Sequence, residues 1–120
     1  MRKAIITLAA TAAVLGGTIA VATPAQAYTY KEDVVISLVR GDESINPRYL
    51  PSNAKIVDYA HAICAVLGRG ATWAEIDAST ARAARSMNLS ATEARGFAYA
   101  TAGVQTAAVV VLCPRFKSGL

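Results

Sequence analysis

From Tyr28 onward, apolar residues recur with the 3.6-residue period of helices, in four stretches divided by turn-forming residues. The first stretch, 28–40, clusters Val34, Val35, Leu38 and Val39 on one side and stops at Gly41. Residues 41–52 hold Asp42, Asn46, Pro47 and Pro51 and predict a loop, with Asn46 extended because a proline follows it. A second helix is expected over about 53–67, with Ser52 as its N-cap and Ile56, Ala60, Ile63 and Leu67 as its buried stripe. Gly68, Arg69 and Gly70 end it. Thr72-Trp73-Ala74-Glu75 then has the form of a capping box, in which a hydroxyl and a carboxylate satisfy each other's free backbone amides. Trp73, Ile76, Thr80, Ala83 and Met87 form the expected inner stripe of this third helix, with Arg82 and Arg85 outward.

Asn88-Leu89 breaks that helix, and Ser90-Ala91-Thr92-Glu93 is a second capping box opening a fourth, which reaches Leu112. On it Phe97, Val104 and Val111 recur every seven residues beside a ribbon of small residues, Gly96, Ala100, Gly103 and Ala107. Such ribbons let neighbouring backbones approach closely. Val109–Leu112 is a strand-like run inside a helix-forming segment, and 115–120 is expected to fray. The expected fold is all-α, a small bundle of about four helices.

The segment before Tyr28 is of a different kind. Met1-Arg2-Lys3 is a basic start, Ala4–Ala22 is apolar, and Pro24-Ala25-Gln26-Ala27 ends small-x-small. This is the pattern of a secretory signal peptide, residues 1–27, with Ala25 and Ala27 in the small-residue pocket of the peptidase. An uncleaved anchor is the alternative, since 4–22 is almost long enough to span a bilayer, but its alanines and threonines make it weakly hydrophobic. Cleavage leaves one helical domain, 28–120, secreted to the envelope or medium, with no stable membrane span. The whole chain carries a net charge of +4, but Arg2 and Lys3 leave with the leader, so the basic balance is weak ground for a nucleic-acid partner. At 54% hydrophobic and 17% charged residues, the chain is not of the disordered class.

Cys64 and Cys113 are the two cysteines. In an oxidising compartment an even pair in a small domain reads as one disulfide. It closes a loop of about 50 residues, for which chain entropy gives about 4 kcal/mol of stabilisation. A zinc site needs four ligands, and His61 is the one histidine available; a catalytic thiol has only the same His61, three residues away.

Together these features resemble a known family. Asp33, Val35 and Leu38 on a first helix, Cys64 followed by Leu67, Gly70 and Trp73, then Leu89-Ser90 with Ala94 and Phe97, and a closing Cys113-Pro114 are similar to domain of unknown function 732, small secreted proteins chiefly of mycobacteria and relatives and some of their phages. The resemblance covers 31–114. It implies a helical fold with one disulfide in an envelope or extracellular setting, and supplies no catalytic residues. Members often have Tyr before the final Cys-Pro, where this chain has Leu112.

Little in the sequence carries chemistry. There is no Gly-x-Ser-x-Gly elbow, His-Glu-x-x-His or phosphate-binding glycine loop. Asp42-Glu43 is a carboxylate pair in a loop whose members point apart, unlike the facing pair that acid–base work needs. His61 and Tyr59 lie about 200° apart around a helix and do not face one haem iron, so His61 is expected at the surface. Asn88-Leu89-Ser90 is read as a helix stop and cap rather than a glycosylation triplet. From Tyr59 onward six basic residues face three acidic ones. These basic residues read first as a solvated face and second as a surface for anionic envelope polymers or lipid headgroups; without interleaved aromatics they give little support to nucleic acid. The leading expectation is therefore a non-enzymatic secreted module, without cofactor or metal, binding an envelope or host component through Trp73, Arg82 and Arg85. The second is a carrier of a small ligand, lipid or haem, with an apolar cavity between the second and fourth helices.

Overall fold

The computed structural model describes residues 27–120, so the expected leader and Ala25 of its cleavage pair lie outside the described residues; Ala27 is exposed. The described residues form four α-helices, α1 (Tyr30–Arg40), α2 (Asn53–Gly68), α3 (Trp73–Ser86) and α4 (Ala91–Val111), with 3-10 turns at Pro47–Tyr49 and Pro114–Gly119 and no strand.

Each helix begins where a side chain meets its free amides. The boxes at Thr72/Glu75 and Ser90/Glu93 form as expected, and Ser52 Oγ accepts from the Lys55 amide. A third box, Thr29/Glu32, opens α1 two residues later than the apolar pattern suggested. α2 ends through Arg69 and Gly70, which has φ of +97°, a left-handed conformation that glycine adopts without strain. Asn88 at φ +58° makes the corresponding break after α3; asparagine tolerates that region better than other side chains.

α4 is the central helix. It packs chiefly against α2 and α1. The core between them is Val35 and Val39 of α1, Ile56, Ala60 and Ile63 of α2, and Val104, Ala108 and Val109 of α4. The stripe on α1 is narrower than expected. Val35 and Val39 are buried, but Leu38 lies to the side of the contact line and is 47% exposed.

The Cys64–Cys113 disulfide joins α2 to the end of α4, with Cα atoms 5.9 Å apart. The residues beyond it are not frayed. Pro114–Gly119 turns back over the bundle, Phe116 packs against the core, and Gly119 sits against the indole of Trp73. A local helix pattern is missing from this segment because its order comes from tertiary contact.

At its two glycines the small-residue ribbon on α4 makes room for side chains. A methyl added at Gly96 would collide with the Tyr49 ring, and one at Gly103 with the end of Ile45. Both partners come from the 41–52 loop, which thereby inserts Ile45 into the core. Arg40 closes that loop, its Nε donating to Asn53 Oδ1 at 2.6 Å and its guanidinium to the Pro51 carbonyl at 2.9 Å.

Candidate functional site

α3 stands apart from the rest of the bundle. Ile76 is its one buried residue, while Ala83 and Met87, expected on an inner stripe, are exposed. The reason is geometric. Only residues 69–72 join α2 to α3, and the Ala71 amide bonds back to the Val66 carbonyl, so the two helices leave this turn like the arms of a V. Trp73 and Ile76 pack against the core, whereas Thr80 and Ala83 of that stripe border open space.

That space is a cleft of about 680 Å³ with α2 and α3 as walls and α4 as floor. Its surface is largely aliphatic and aromatic: Ile56, Ile63 and Val66 from α2, Ile76 and Ala83 from α3, and Phe97, Ala100 and Val104 from α4. Tyr49, Leu50 and Pro51 of the loop complete the end away from the apex. A cleft of this size is in the range that encloses a small organic ligand.

Tyr59, which lines the cleft, is hydrogen-bonded to a residue outside its lining. Gln105, 7% exposed, donates from Nε2 to Tyr59 Oη at 3.1 Å. Tyr59 is also hydrogen-bonded to Thr80, whose hydroxyl donates to the Ile76 carbonyl at 3.1 Å. Hydrogen bonds at Tyr59 thus tie α2 to both α4 and α3. Burial pushes the Tyr59 phenol above its ordinary pKa, against the opposing pull of the Gln105 and Thr80 hydrogen bonds. No buried side-chain nitrogen or oxygen among the described residues lacks a partner. Beyond Thr80, Phe97 and Thr101, which line both spaces, a second hollow of about 460 Å³ runs between the alanine-rich faces of α3 and α4.

Three charged residues line the main cleft: Lys55, Glu75 and Arg82. Glu75 is committed to its capping box, accepting from the Thr72 amide at 2.9 Å. Lys55 is on the first turn of α2 and Arg82 in the second half of α3, toward the open end of the V.

The surface suggested by Trp73, Arg82 and Arg85 is distributed over α3 rather than gathered. Arg82 borders the cleft and Arg85 is exposed, but Trp73 is on the first helical turn, half-buried against Gly119. It lies about 14 Å from Arg82 along the helix axis. His61 does not reach the cleft. It is exposed on α2, with Nε2 2.7 Å from Glu32 Oε2 on α1. Backbone and hydroxyl hydrogen bonds from Thr29, with the His61 contact, lower the Glu32 pKa. In the 41–52 loop, Asp42 accepts from the Ser44 amide at 2.9 Å and its hydroxyl at 2.6 Å, and Glu43 is exposed, so the adjacent carboxylates form a turn rather than a facing pair. Among the described residues no three of His, Cys, Asp and Glu gather as a metal-binding set, and no helix is long and apolar enough to cross a membrane.

The Tyr59–Gln105 pair was not among the expected site residues. Its sequence signal is a lone amide, Gln105, within the apolar run of the fourth helix, but nothing local identifies the tyrosine it meets 46 residues away.

A family model described as protein of unknown function (DUF732) matches residues 32–115. No curated protein and no solved structure matches the chain.

Proposed function

The chain belongs to this family of proteins of unknown function, and on that premise we propose that it is a secreted, non-enzymatic binding protein whose cleft between α2, α3 and α4 holds a small apolar ligand. One observation carries the reading: the helices border a largely apolar space of about 680 Å³. The hydroxyls of Tyr59 and Thr80 already have protein partners, so affinity comes from displaced water and apolar contact.

The same geometry favours lipid over haem. The cleft contains no histidine, cysteine or methionine, and the hydroxyl of its buried tyrosine is already bonded. His61, the other residue weighed as an iron ligand, points to Glu32. The expected disulfide suits a secreted setting, where such bonds persist.

The test uses the uncharged fluorophore diphenylhexatriene with the purified protein. Its fluorescence is expected to rise on binding, and Ala83→Trp, an exposed position on the cleft wall, is expected to abolish the rise without loss of helicity. No rise, or a rise indifferent to Ala83→Trp, overturns the reading.

A further inference from the structure

We propose that the cleft takes a single-chain lipid carrying one negative charge, a long-chain carboxylate, with its chain against α4 and its head between Lys55 and Arg82. This deepens the reading given above and rests on it. The argument is one of charge and position. Lys55, Glu75 and Arg82 are the charged residues on the cleft wall, and together they carry one net positive charge. A monoanion neutralises that balance over the cleft as a whole, whereas a dianion would leave the cleft with one net negative charge.

The charges are also sorted by place. Glu75 and Arg82 are seven residues apart on α3, about 10 Å along its axis. Glu75 lies near the apex and is turned to its own helix start, where the Thr72 amide and hydroxyl occupy its oxygen. Lys55 and Arg82 lie toward the open end, and neither has an ion-pair partner among the described residues. A carboxylate there gains an ammonium and a planar guanidinium fork, which gives charge-assisted hydrogen bonds at the solvent edge.

Between that edge and the apex the wall includes Phe97, Ile56, Ala100, Ile63 and Val104, with the hydroxyls of Tyr59, Ser79, Thr80 and Thr101 among them. An acyl chain gains about 0.8 kcal/mol for each methylene it buries against such a surface. The chemistry of the site is therefore largely apolar along its length and cationic at one end, the complement of a fatty acid anion.

The experiment compares oleate with methyl oleate by isothermal titration against the purified protein, the Lys55→Glu/Arg82→Glu variant and an Arg95→Glu control, whose substitution is on an exposed part of α4 outside the cleft. Oleate is expected to bind one per chain and to lose about tenfold or more in affinity in the double variant, as for lost charge-assisted contacts. Methyl oleate should change less than about twofold in that variant, and Arg95→Glu should leave both unchanged. Equal binding of acid and ester, with both indifferent to the charge reversal, overturns the head-group assignment while leaving an apolar cleft. Binding of neither lipid while diphenylhexatriene still binds also overturns this inference alone; failure of all three probes overturns the cleft reading beneath it. A dimer in sedimentation that oleate does not dissociate assigns the groove to a second copy and overturns the inference as well.

Discussion

Gly96 and Tyr49 show how much the meaning of a single residue depends on its partner. In a helix interior, replacing glycine by alanine ordinarily stabilises by about 1 kcal/mol. At Gly96 the added methyl meets the Tyr49 ring, so Gly96→Ala is expected to lower stability by about 1 kcal/mol in denaturant titration. Adding Tyr49→Ala should return the gain, and a double-mutant cycle without coupling would contradict the contact. The small ribbon was legible in the sequence, whereas its partners were not: Ile45 and Tyr49 sit in a segment whose prolines and polar residues signal only a loop. Glu32 makes a pH-dependent contribution at the same scale. Its folded pKa is lowered from the ordinary 4.5, so its stabilisation is present above that value and is lost as pH falls through the folded pKa. Glu32→Gln should flatten stability against pH in that acid range, and an unchanged acid limb would count against the Thr29 and His61 contacts. Tyr59 has the opposite slope. Its pKa is raised by burial, so stability is lost as pH climbs past 10.0, and Tyr59→Phe should remove that loss.

Among the elements, α3 is the one whose structure and packing disagree. Its capping box and helical period were readable because both are local, and each formed. Its burial was not readable, because a periodic apolar stripe has the same spacing whether it faces packed atoms or an open cleft. With Ile76 as its one buried residue, α3 should exchange its amide hydrogens before α2 and α4, which share the core. Equal protection across the three helices would contradict a weakly docked wall. Thr72→Ala, which removes the cap, is expected to cost about 1 kcal/mol and to accelerate exchange in α3 first. The same distinction explains the C-terminal turn. Nothing in 115–120 has a helical pattern, yet Phe116 and Gly119 are held by the core and by Trp73.

For the molecule as a whole, the disulfide links the two helices that make most of the core. It spans 49 residues, and its reduction is expected to cost about 4 kcal/mol, enough to unfold a domain of this size near its thermal midpoint. The pairing was readable because two cysteines admit one intramolecular pairing; the cleft between α2, α3 and α4 was readable only as a space beside the α4 ribbon. What remained hidden was the third wall. The most direct measurement is a methyl NMR titration of isoleucine-labelled protein with oleate. Ile56, Ile63 and Ile76 line the cleft, whereas Ile45 is packed beneath the loop on Gly103. A ligand in the cleft shifts the first three methyls together and leaves Ile45 in place. Shifts at Ile45 without the other three, or no saturable shift at any of them, would contradict it.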